Sequence, residues 1–229
     1  EKRNRKKIDE GIGFIELHSV VNNIPMVFRP TIIWDDKEVI LIDTGYPGQL
    51  EAIRDNLAKM PIGTLTKIII THHDYDHIGS LYEVISGFDH KIEVYAHELT
   101  KPYIQGEKKL IKTGITVPVI QVDHTIADGQ ELPFCGGISV IFTPGHTPDH
   151  ISLYHCATKT LITGDALTAD QGQLHYPTKK FTLDMEQAIQ SITRFLDYEI
   201  DQAICFHGGV CKNQVMERLL DLAERKAAL

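Results

Sequence analysis

A short apolar run followed at once by a dense group of metal-binding residue types constrains this chain more than any other feature. Residues 67–71 (Lys-Ile-Ile-Ile-Thr) have the length and composition of a buried strand. Residues 72–77 (His-His-Asp-Tyr-Asp-His) follow directly, and residues 78–86 have the pattern of a helix. Imidazole and carboxylate groups are ligands that divalent transition metals bind. The segment therefore predicts a metal-binding loop between a strand and a helix.

The spacing within this loop divides its side chains between two positions. His72 and Asp74 are two residues apart, so in extended backbone they project to the same side. Asp76 and His77 are adjacent, so their side chains diverge. His73 is expected to point away from the side that His72 and Asp74 share. The loop can therefore offer ligands to two neighbouring metal ions, whereas a solvated His- and Asp-rich surface loop is the alternative.

Three further segments place a residue of ligand type at the end of a predicted strand, beside Gly or Pro. These segments are residues 143–148 around His146, residues 163–166 around Asp165 and residues 205–209 around His207. Strand ends hold the backbone in place while loops expose side chains, so functional sites gather at such positions. The pattern therefore predicts one site built from both halves of the chain.

The apolar patterning of the whole chain predicts a layered α/β arrangement. Predicted strands cover residues 14–17, 27–34, 39–43, 67–71, 92–96, 138–143, 151–155, 161–163 and 202–206. Predicted helices cover residues 49–60, 78–86, 183–196 and 213–228. Each half reads as strands followed by helices, which favours helices packed outside two stacked sheets. We predict a flexible basic arm at residues 1–10 and a single domain at residues 11–229.

The order of these elements resembles the metallo-β-lactamase-fold hydrolase superfamily, which includes lactonases and glyoxalase II-type thioesterases. The resemblance runs from about Phe14 to the last helix. It rests on five elements in the family's order, which are residues 41–45 (Leu-Ile-Asp-Thr-Gly), 72–77, 143–146, 164–165 and 207–208. The resemblance implies an α/β fold, the four-layer αββα sandwich of two similar halves.

Carried over by position, the resemblance implies two metal ions held by seven side chains. The side chains implied for the first metal are His72, Asp74 and His146. Those implied for the second are Asp76, His77 and His207, with Asp165 bridging both. Asp43 matches a family position behind the metal loop, which implies a hydrogen bond to that loop.

Other candidate residues lie near these positions in the sequence. We interpret His150 as a hydrogen-bonding histidine rather than a ligand, and Asp149 stands where the family often has Gly. His175 and Tyr176 lie in a region that often contacts substrate in relatives. They are candidate substrate-binding residues, and an ordinary surface loop is the alternative.

The family's usual loop is His-x-His-x-Asp-His, and Asp74 occupies the position of its second His. With two divalent ions, a bridging hydroxide and two carboxylate ligands, the net charge of the site would be +1. With the three carboxylates of Asp74, Asp76 and Asp165, the net charge is zero. Oxygen ligands suit harder ions. We predict two divalent metal ions, with zinc as the first expectation and manganese or iron as alternatives. Filling of the second position alone is a further possibility.

The predicted activity is metal-dependent hydrolysis of a small ester, lactone or thioester. A metal can lower the pKa of bound water from 15.7 to about 7, so a metal-bridging hydroxide can attack the carbonyl. Asp76 or Asp165 is the candidate catalytic residue that relays the proton to the leaving group. Alternatives on the same fold are an iron-dependent oxidoreductase of the persulfide dioxygenase type, a phosphodiesterase or nuclease, and a non-catalytic metal-binding module.

Charge and composition narrow the choice of partner. The net charge is −8, and residues 8–229 carry 18 basic against 30 acidic side chains. An acidic body argues against a nucleic-acid surface. No apolar run reaches the roughly 18–20 residues of a membrane span, so we expect no membrane partner. The four cysteines form no C-x-x-C motif, which favours reduced thiols in a cytoplasmic protein. We predict a small-molecule substrate, and the oligomeric state stays open.

Overall fold

The structure, a computed structural model, describes residues 11–224, so the predicted basic arm at residues 1–10 lies outside the described residues. The strands of the first half are β1 (Gly11–Phe14), β2 (Leu17–Val21), β3 (Ile24–Phe28), β4 (Thr31–Trp34), β5 (Val39–Ile42), β6 (Lys67–Ile70), β7 (Glu93–His97) and β8 (His124–Ile126). Those of the second half are β9 (Glu131–Leu132), β10 (Ile138–Phe142), β11 (Ile151–His155), β12 (Thr160–Ile162), β13 (Thr168–Asp170), β14 (Gln173–His175), β15 (Gln202–Cys205) and β16 (Gly209–Cys211). The helices are α1 (Leu50–Lys59), α2 (Tyr75–Ile78), α3 (Leu81–Gly87), α4 (Lys101–Ile104), α5 (Met185–Ile192) and α6 (Val215–Glu224).

Two six-stranded sheets and two separate hairpins are formed by these strands. The first sheet has the order β1-β4-β5-β6-β7-β8 and the second has the order β16-β15-β12-β11-β10-β9. The hairpins are β2–β3 and β13–β14. Strand β5 is parallel to β6, and β12 is parallel to β15, so in each pair the carboxyl ends meet at one edge of the sheet.

Alternation along the strands produces the layers. In β5, Val39 and Leu41 pack with Ile53 of α1, whereas Ile40 and Ile42 face the core between the sheets. The second sheet is covered on its outer side by α5 and α6, whose buried residues pack into a third core. The arrangement is an αββα sandwich, which confirms the predicted fold class. No helix within residues 11–224 is both long and apolar enough to cross a membrane.

Some predicted boundaries are wrong for local physical reasons. The strand predicted at residues 27–34 is interrupted, because Pro30 has no N–H to donate and the N–H of Arg29 bonds to Phe206 O. The strand predicted at residues 14–17 is likewise divided between β1 and β2. The helix predicted at residues 183–196 ends at Ile192 and continues as a 3₁₀ turn, Thr193–Asp197. Neither hairpin was predicted.

The metal-binding loop is shorter than the sequence suggested. The N–H groups of His77 and Ile78 donate to the carbonyl of Asp74 at 2.9 and 3.1 Å, so helix α2 begins at Tyr75. Asp76 and His77 therefore lie on this short helix, not in the loop before it. The helix predicted at residues 78–86 is replaced by α2 and α3.

Gly145, between β10 and His146, offers a sharp test of this packing. Its φ is +133°, and a Cβ there would lie 2.1 Å from the backbone N of Ala188 in α5. Gly145→Ala is therefore expected to lower the free energy of unfolding by about 3 kcal/mol or more, through backbone strain and overpacking. Urea denaturation followed by circular dichroism measures the loss.

Gly129→Ala is the matched control. Gly129 also has positive φ, +72°, but a Cβ there meets nothing within 4 Å. We expect only the backbone cost, about 1–2 kcal/mol. Equal losses in the two variants would show that close contact with α5 does not decide the effect.

Candidate metal centre

The predicted ligands follow the carboxyl ends of strands in both sheets. His72 follows β6 in the first sheet. His146, Asp165 and His207 follow β10, β12 and β15 in the second sheet. Strands β10 and β12 both run antiparallel to β11, so they end at the same edge. The sheets are joined there, because Ile151 N donates to the carbonyl of Thr71 at 2.9 Å.

The structure brings all seven predicted ligand side chains together in two groups. Within each group, one potential ligand atom from every residue lies within 4.8 Å of the others. The first group is His72, Asp74 and His146, and the second group is Asp76, His77, Asp165 and His207. The resemblance implied the same seven side chains, with Asp165 bridging both sets, and their role as ligands stays a prediction.

Asp74 is central to the first group. Its Oδ2 lies 3.3 Å from His72 Nε2 and 3.0 Å from His146 Nε2. All three side chains are buried. The carboxylate therefore lies beside two imidazoles, and Asp at the second His position of the usual family loop still belongs to the cluster.

Asp165 contacts both groups. Its Oδ1 lies 3.3 Å from His77 Nε2, and its Oδ2 lies 3.3 Å from His207 Nε2. The same Oδ2 is 3.3 Å from His146 Nε2 of the first group. Asp76 Oδ2 completes the second group at 3.2 Å from His207 Nε2. Asp165 thus has the placement expected of a bridging ligand.

Three imidazoles direct the same nitrogen toward the groups. His77 Nδ1 donates to Asp43 Oδ2 at 2.8 Å. Thr71 Oγ1 donates to the same carboxylate at 2.8 Å and accepts from His72 Nδ1 at 3.0 Å. His146 Nδ1 lies 3.3 Å from Thr182 Oγ1. In a neutral ring with the proton on Nδ1, each Nε2 would present a lone pair, the form that binds metal.

Several of these atoms are buried without a hydrogen-bond partner. Among the described residues they include His72 Nε2, His77 Nε2 and Asp165 Oδ1. An unpaired buried polar atom costs about 1–3 kcal/mol. His77 Nε2 and Asp165 Oδ1 lie 3.3 Å apart without a hydrogen bond between them. A cation between them satisfies both, so the donor set fits divalent metal ions.

The pKa shifts in the second group also indicate that its carboxylates favour a positive charge nearby. Burial lowers the pKa of His207, but the carboxylates of Asp165 and Asp76 outweigh burial and raise that pKa to about 10. Burial also opposes ionisation of Asp165, yet the imidazoles of His207 and His77 hold its pKa well below the usual range. The carboxylates therefore stay ionised and attract cations.

Asp43 lies behind the metal loop, where the resemblance placed it. Besides its bonds to His77 and the Thr71 hydroxyl, its Oδ1 accepts from the Thr71 N–H at 2.8 Å. Asp43 has φ of +66°, an uncommon conformation for a residue with a side chain. Three hydrogen bonds hold this conformation and orient His77.

His150 uses both ring nitrogens in hydrogen bonds. Its Nε2 accepts from the backbone N–H of Asp165 at 2.9 Å, and its Nδ1 lies 2.8 Å from Thr143 Oγ1. Burial and the nearby imidazoles of His72 and His146 hold its pKa well below the usual value, so it is neutral. This geometry agrees with the hydrogen-bonding role predicted for His150.

His73 points away from the two groups, as expected, into a buried pair that the sequence did not reveal. Its Nδ1 donates to Asp149 Oδ1 at 2.7 Å, and its ring stacks on Tyr103 with centroids 3.9 Å apart. Asp149 Oδ2 accepts from the His73 N–H at 3.1 Å. Asp149 therefore ties the metal loop to the loop that carries His146.

Lys112 is a residue that sequence reasoning missed. Its ammonium contacts Asp74 Oδ2 and lies 2.9 Å from His146 Nε2. The segment around it has no spacing of ligand-type residues and no regular periodicity. No sequence signal distinguishes it from Lys108 or Lys109 nearby.

The centre opens at the second group. The side chains of His72 and His77 are fully buried, whereas Asp76 and His207 are 23% and 26% exposed. Phe28 lies beside this opening, with its ring centroid 5.7 Å from that of His207. A molecule approaching from solvent therefore meets the second group first.

The two candidate substrate-binding residues occupy different surroundings. The hydroxyl of Tyr176 donates to Leu222 O at 2.6 Å, and its ring packs against the core under α6. That contact gives the Tyr176 hydroxyl a structural partner, and its substrate role stays a prediction. His175 is half-buried at the end of β14, and its substrate role stays a prediction.

The sequence matches the family model of the metallo-beta-lactamase superfamily over residues 30–207. The chain belongs to this superfamily. It is 30% identical to the probable metallo-hydrolase YflN of Bacillus subtilis (strain 168), and the match covers 97% of this chain and 96% of YflN. The predicted family and enzyme class, a metallo-hydrolase, are thereby confirmed.

Two other comparisons extend this result. A hydroxyacylglutathione hydrolase of Idiomarina loihiensis is 33% identical over 61% of this chain and 48% of its own length. The crystal structure of the BLEG-1 B3 metallo-beta-lactamase aligns with a TM-score of 0.70 at 23% identity, covering 92% of this chain and 97% of that one. The structural likeness supports the shared fold.

Proposed function

We propose that this metallo-hydrolase cleaves a small ester, lactone or thioester with two divalent ions held by the two groups. The observation that carries the proposal is the convergence of four imidazoles and three carboxylates, with unpaired buried ligand atoms, beside an opening to solvent. Bound divalent ions supply polarisation of a carbonyl oxygen and lower the pKa of water from 15.7 to about 7. Zinc is the first expectation, with manganese or iron as alternatives.

The side chains divide the work of holding this centre. The first group would hold one ion and the second group the other, with Asp165 shared between them. Asp43 keeps the Nδ1 proton of His77 away from the centre, and His150 holds the backbone of Asp165. These supports act before substrate binds, so little reorganisation is needed when it does.

Asp76 is the better placed of the two candidate proton carriers. It lies at the opening, partly exposed, whereas Asp165 is buried. A carboxylate at this position can hold a proton and pass it to the leaving oxygen or sulfur. Asp165 remains the alternative carrier from the shared position.

We infer a substrate with apolar parts from exposed apolar side chains that are adjacent in sequence to residues in contact with the first group. Phe181 and Leu183 are large exposed apolar side chains that flank Thr182, and Thr182 contacts His146. Ile111, also exposed, precedes Lys112. The hydroxyacylglutathione hydrolase among the relatives supports the inclusion of thioesters in the substrate class.

A panel of small esters, lactones and thioesters tests the proposal. Protein loaded separately with zinc, manganese or iron is expected to hydrolyse at least one panel member. Asp76→Ala and His207→Ala are expected to lower kcat/KM on that substrate by on the order of 10³-fold, because each removes a ligand of the second group. Initial rates from a continuous assay give the values.

Asp170→Ala is the matched control for these variants. Asp170 is an exposed carboxylate on β13, only five residues beyond Asp165, and it belongs to neither group. We expect it to retain the parent rate. Unchanged rates in Asp76→Ala and His207→Ala would refute the proposal. Oxygen uptake by the iron-loaded protein with glutathione persulfide, without hydrolysis, would replace it with the oxidoreductase alternative.

A further inference from the structure

The side chain of Lys112 reaches into the first group. Its ammonium contacts Asp74 Oδ2 and lies 2.9 Å from His146 Nε2, so it touches two of the three side chains in that group. Only 20% of the Lys112 side chain is exposed. Among residues 11–224, no lysine or arginine forms a comparable ion pair with the second group. The two groups therefore differ in the presence of a built-in cation.

The backbone around Lys112 forms a closed loop. Leu110 N donates to Ile115 O at 2.8 Å, and Gly114 N donates to Leu110 O at 2.8 Å. The Leu110 side chain is buried in the core beneath α1 and α3. The loop is thus anchored at its base, and Lys112 extends from a defined position.

A second contact ties this loop to the metal loop. Ile111 N lies 3.4 Å from His73 Nε2. The Nδ1–H of His73 donates a hydrogen bond to Asp149, so the unprotonated Nε2 of His73 accepts from the Ile111 N–H. His73 is adjacent to Asp74. The pair of His73 and Asp149 therefore holds the backbone next to Lys112 close to the carboxylate that Lys112 contacts.

A lysine ammonium at this place competes with a metal ion in two ways. It donates to His146 Nε2, the lone pair that a metal would need. It also neutralises the carboxylate of Asp74, which would otherwise attract a divalent ion. A metal can enter the first group only if the ammonium leaves both contacts. Within residues 11–224, no lysine or arginine opposes metal binding at the second group in this way.

We propose that Lys112 is an internal competitor for the first metal. The second group binds its ion first and tightly, and the first group fills only at a higher metal concentration. This inference rests on the metal centre of the proposed function but not on its substrate. Lys112 acts through the charge and lone pairs of two ligands, so it is a positioning residue that sets metal occupancy.

Zinc titration of chelator-stripped protein tests the proposal directly. Isothermal titration calorimetry of the parent chain is expected to show two binding steps whose affinities differ by about tenfold or more. Lys112→Met removes the competing charge and keeps much of the side-chain volume. It is expected to strengthen the weaker step by about 10–100-fold and to leave the tighter step unchanged. Elemental analysis after desalting gives the zinc retained per chain.

Lys109→Met is the matched control, because Lys109 is an exposed lysine three residues away with no place in either group. It is expected to bind zinc as the parent does. Lys112→Gln provides a second neutral variant, and thermal unfolding checks that each variant folds. The two neutral variants are expected to agree.

The outcomes separate this inference from the proposed function. Two zinc ions bound with equal affinity by the parent chain would overturn the competition while leaving the metal centre intact. The same conclusion would follow if both neutral variants titrated like the parent. Binding of neither zinc, manganese nor iron by any folded protein would overturn the metal centre, and the proposed function with it.

Discussion

Asp165→Asn is expected to weaken metal binding strongly at both groups and to lower turnover of the best panel substrate by at least ~10³-fold. Asn preserves the volume of the side chain but removes its charge. Asp165 Oδ2 lies 3.3 Å from His207 Nε2 and 3.3 Å from His146 Nε2, so one substitution affects both groups. Elemental analysis of the desalted protein and steady-state kinetics measure the two effects.

The size of this effect depends on the shared position of Asp165. Asp76→Asn changes a carboxylate that contacts only the second group, so zinc in the first group is expected to survive it. Asp170→Asn controls for the loss of a nearby surface charge. If Asp165→Asn still retained two zinc ions per chain, the bridging assignment would be wrong.

Much of the fold could be predicted because burial leaves a periodic signal. Residues 39–43 and 67–71 are nearly continuous apolar runs, and they form β5 and β6, which are buried on both faces. Strand boundaries and the separate hairpins were predicted less well, because local backbone geometry determines them. Pro30 divides residues 27–34, which the sequence predicted as one strand. In the separate hairpin β2–β3 the apolar side chains of Val20 and Ile24 are exposed, so the apolar pattern there does not report burial.

The convergence of the site could be predicted in part, because four of its members each follow a strand, namely His72, His146, Asp165 and His207. The division of the ligands into two groups came from the family resemblance. His146 and Asp165 are far apart in the chain, but the strands before them end at one edge, so chain order was enough to bring them together. Lys112 lies between α4 and β8, in a segment whose path depends on irregular hydrogen bonds. The sequence of this segment has no periodic pattern that indicates its path. The contact between Lys112 and Asp74 was therefore not predictable.

The departures from the usual family pattern are connected in space. Asp74 adds a negative charge to the first group, and Lys112 neutralises it. Asp149, which stands where relatives often have Gly, binds His73, and His73 accepts from the backbone beside Lys112. One unusual carboxylate is thus accompanied by a cation and by a buried pair that keeps the cation near. These residues form one connected set of contacts beside the first group.

Asp43→Asn is expected to weaken zinc binding at the second group by about 10–100-fold, although residue 43 is not itself in that group. Its Oδ1 must still accept the Thr71 N–H, so the new amide nitrogen would replace Oδ2 and face His77 Nδ1. An amide N–H there donates to Nδ1 and forces the His77 proton onto Nε2. That nitrogen then has no lone pair for a metal ion.

Asp149→Asn separates this tautomer effect from the simple loss of a buried carboxylate. Asp149 binds His73 as Asp43 binds His77, through Nδ1 at 2.7 and 2.8 Å, but His73 belongs to neither group. Both variants are expected to lose about 1–3 kcal/mol of unfolding free energy, because each disturbs a buried charged hydrogen bond. Only Asp43→Asn should weaken the tighter zinc step in calorimetry. Equal weakening in both variants would mean that general loosening of the metal loop, and not the proton position on His77, controls affinity at the second group.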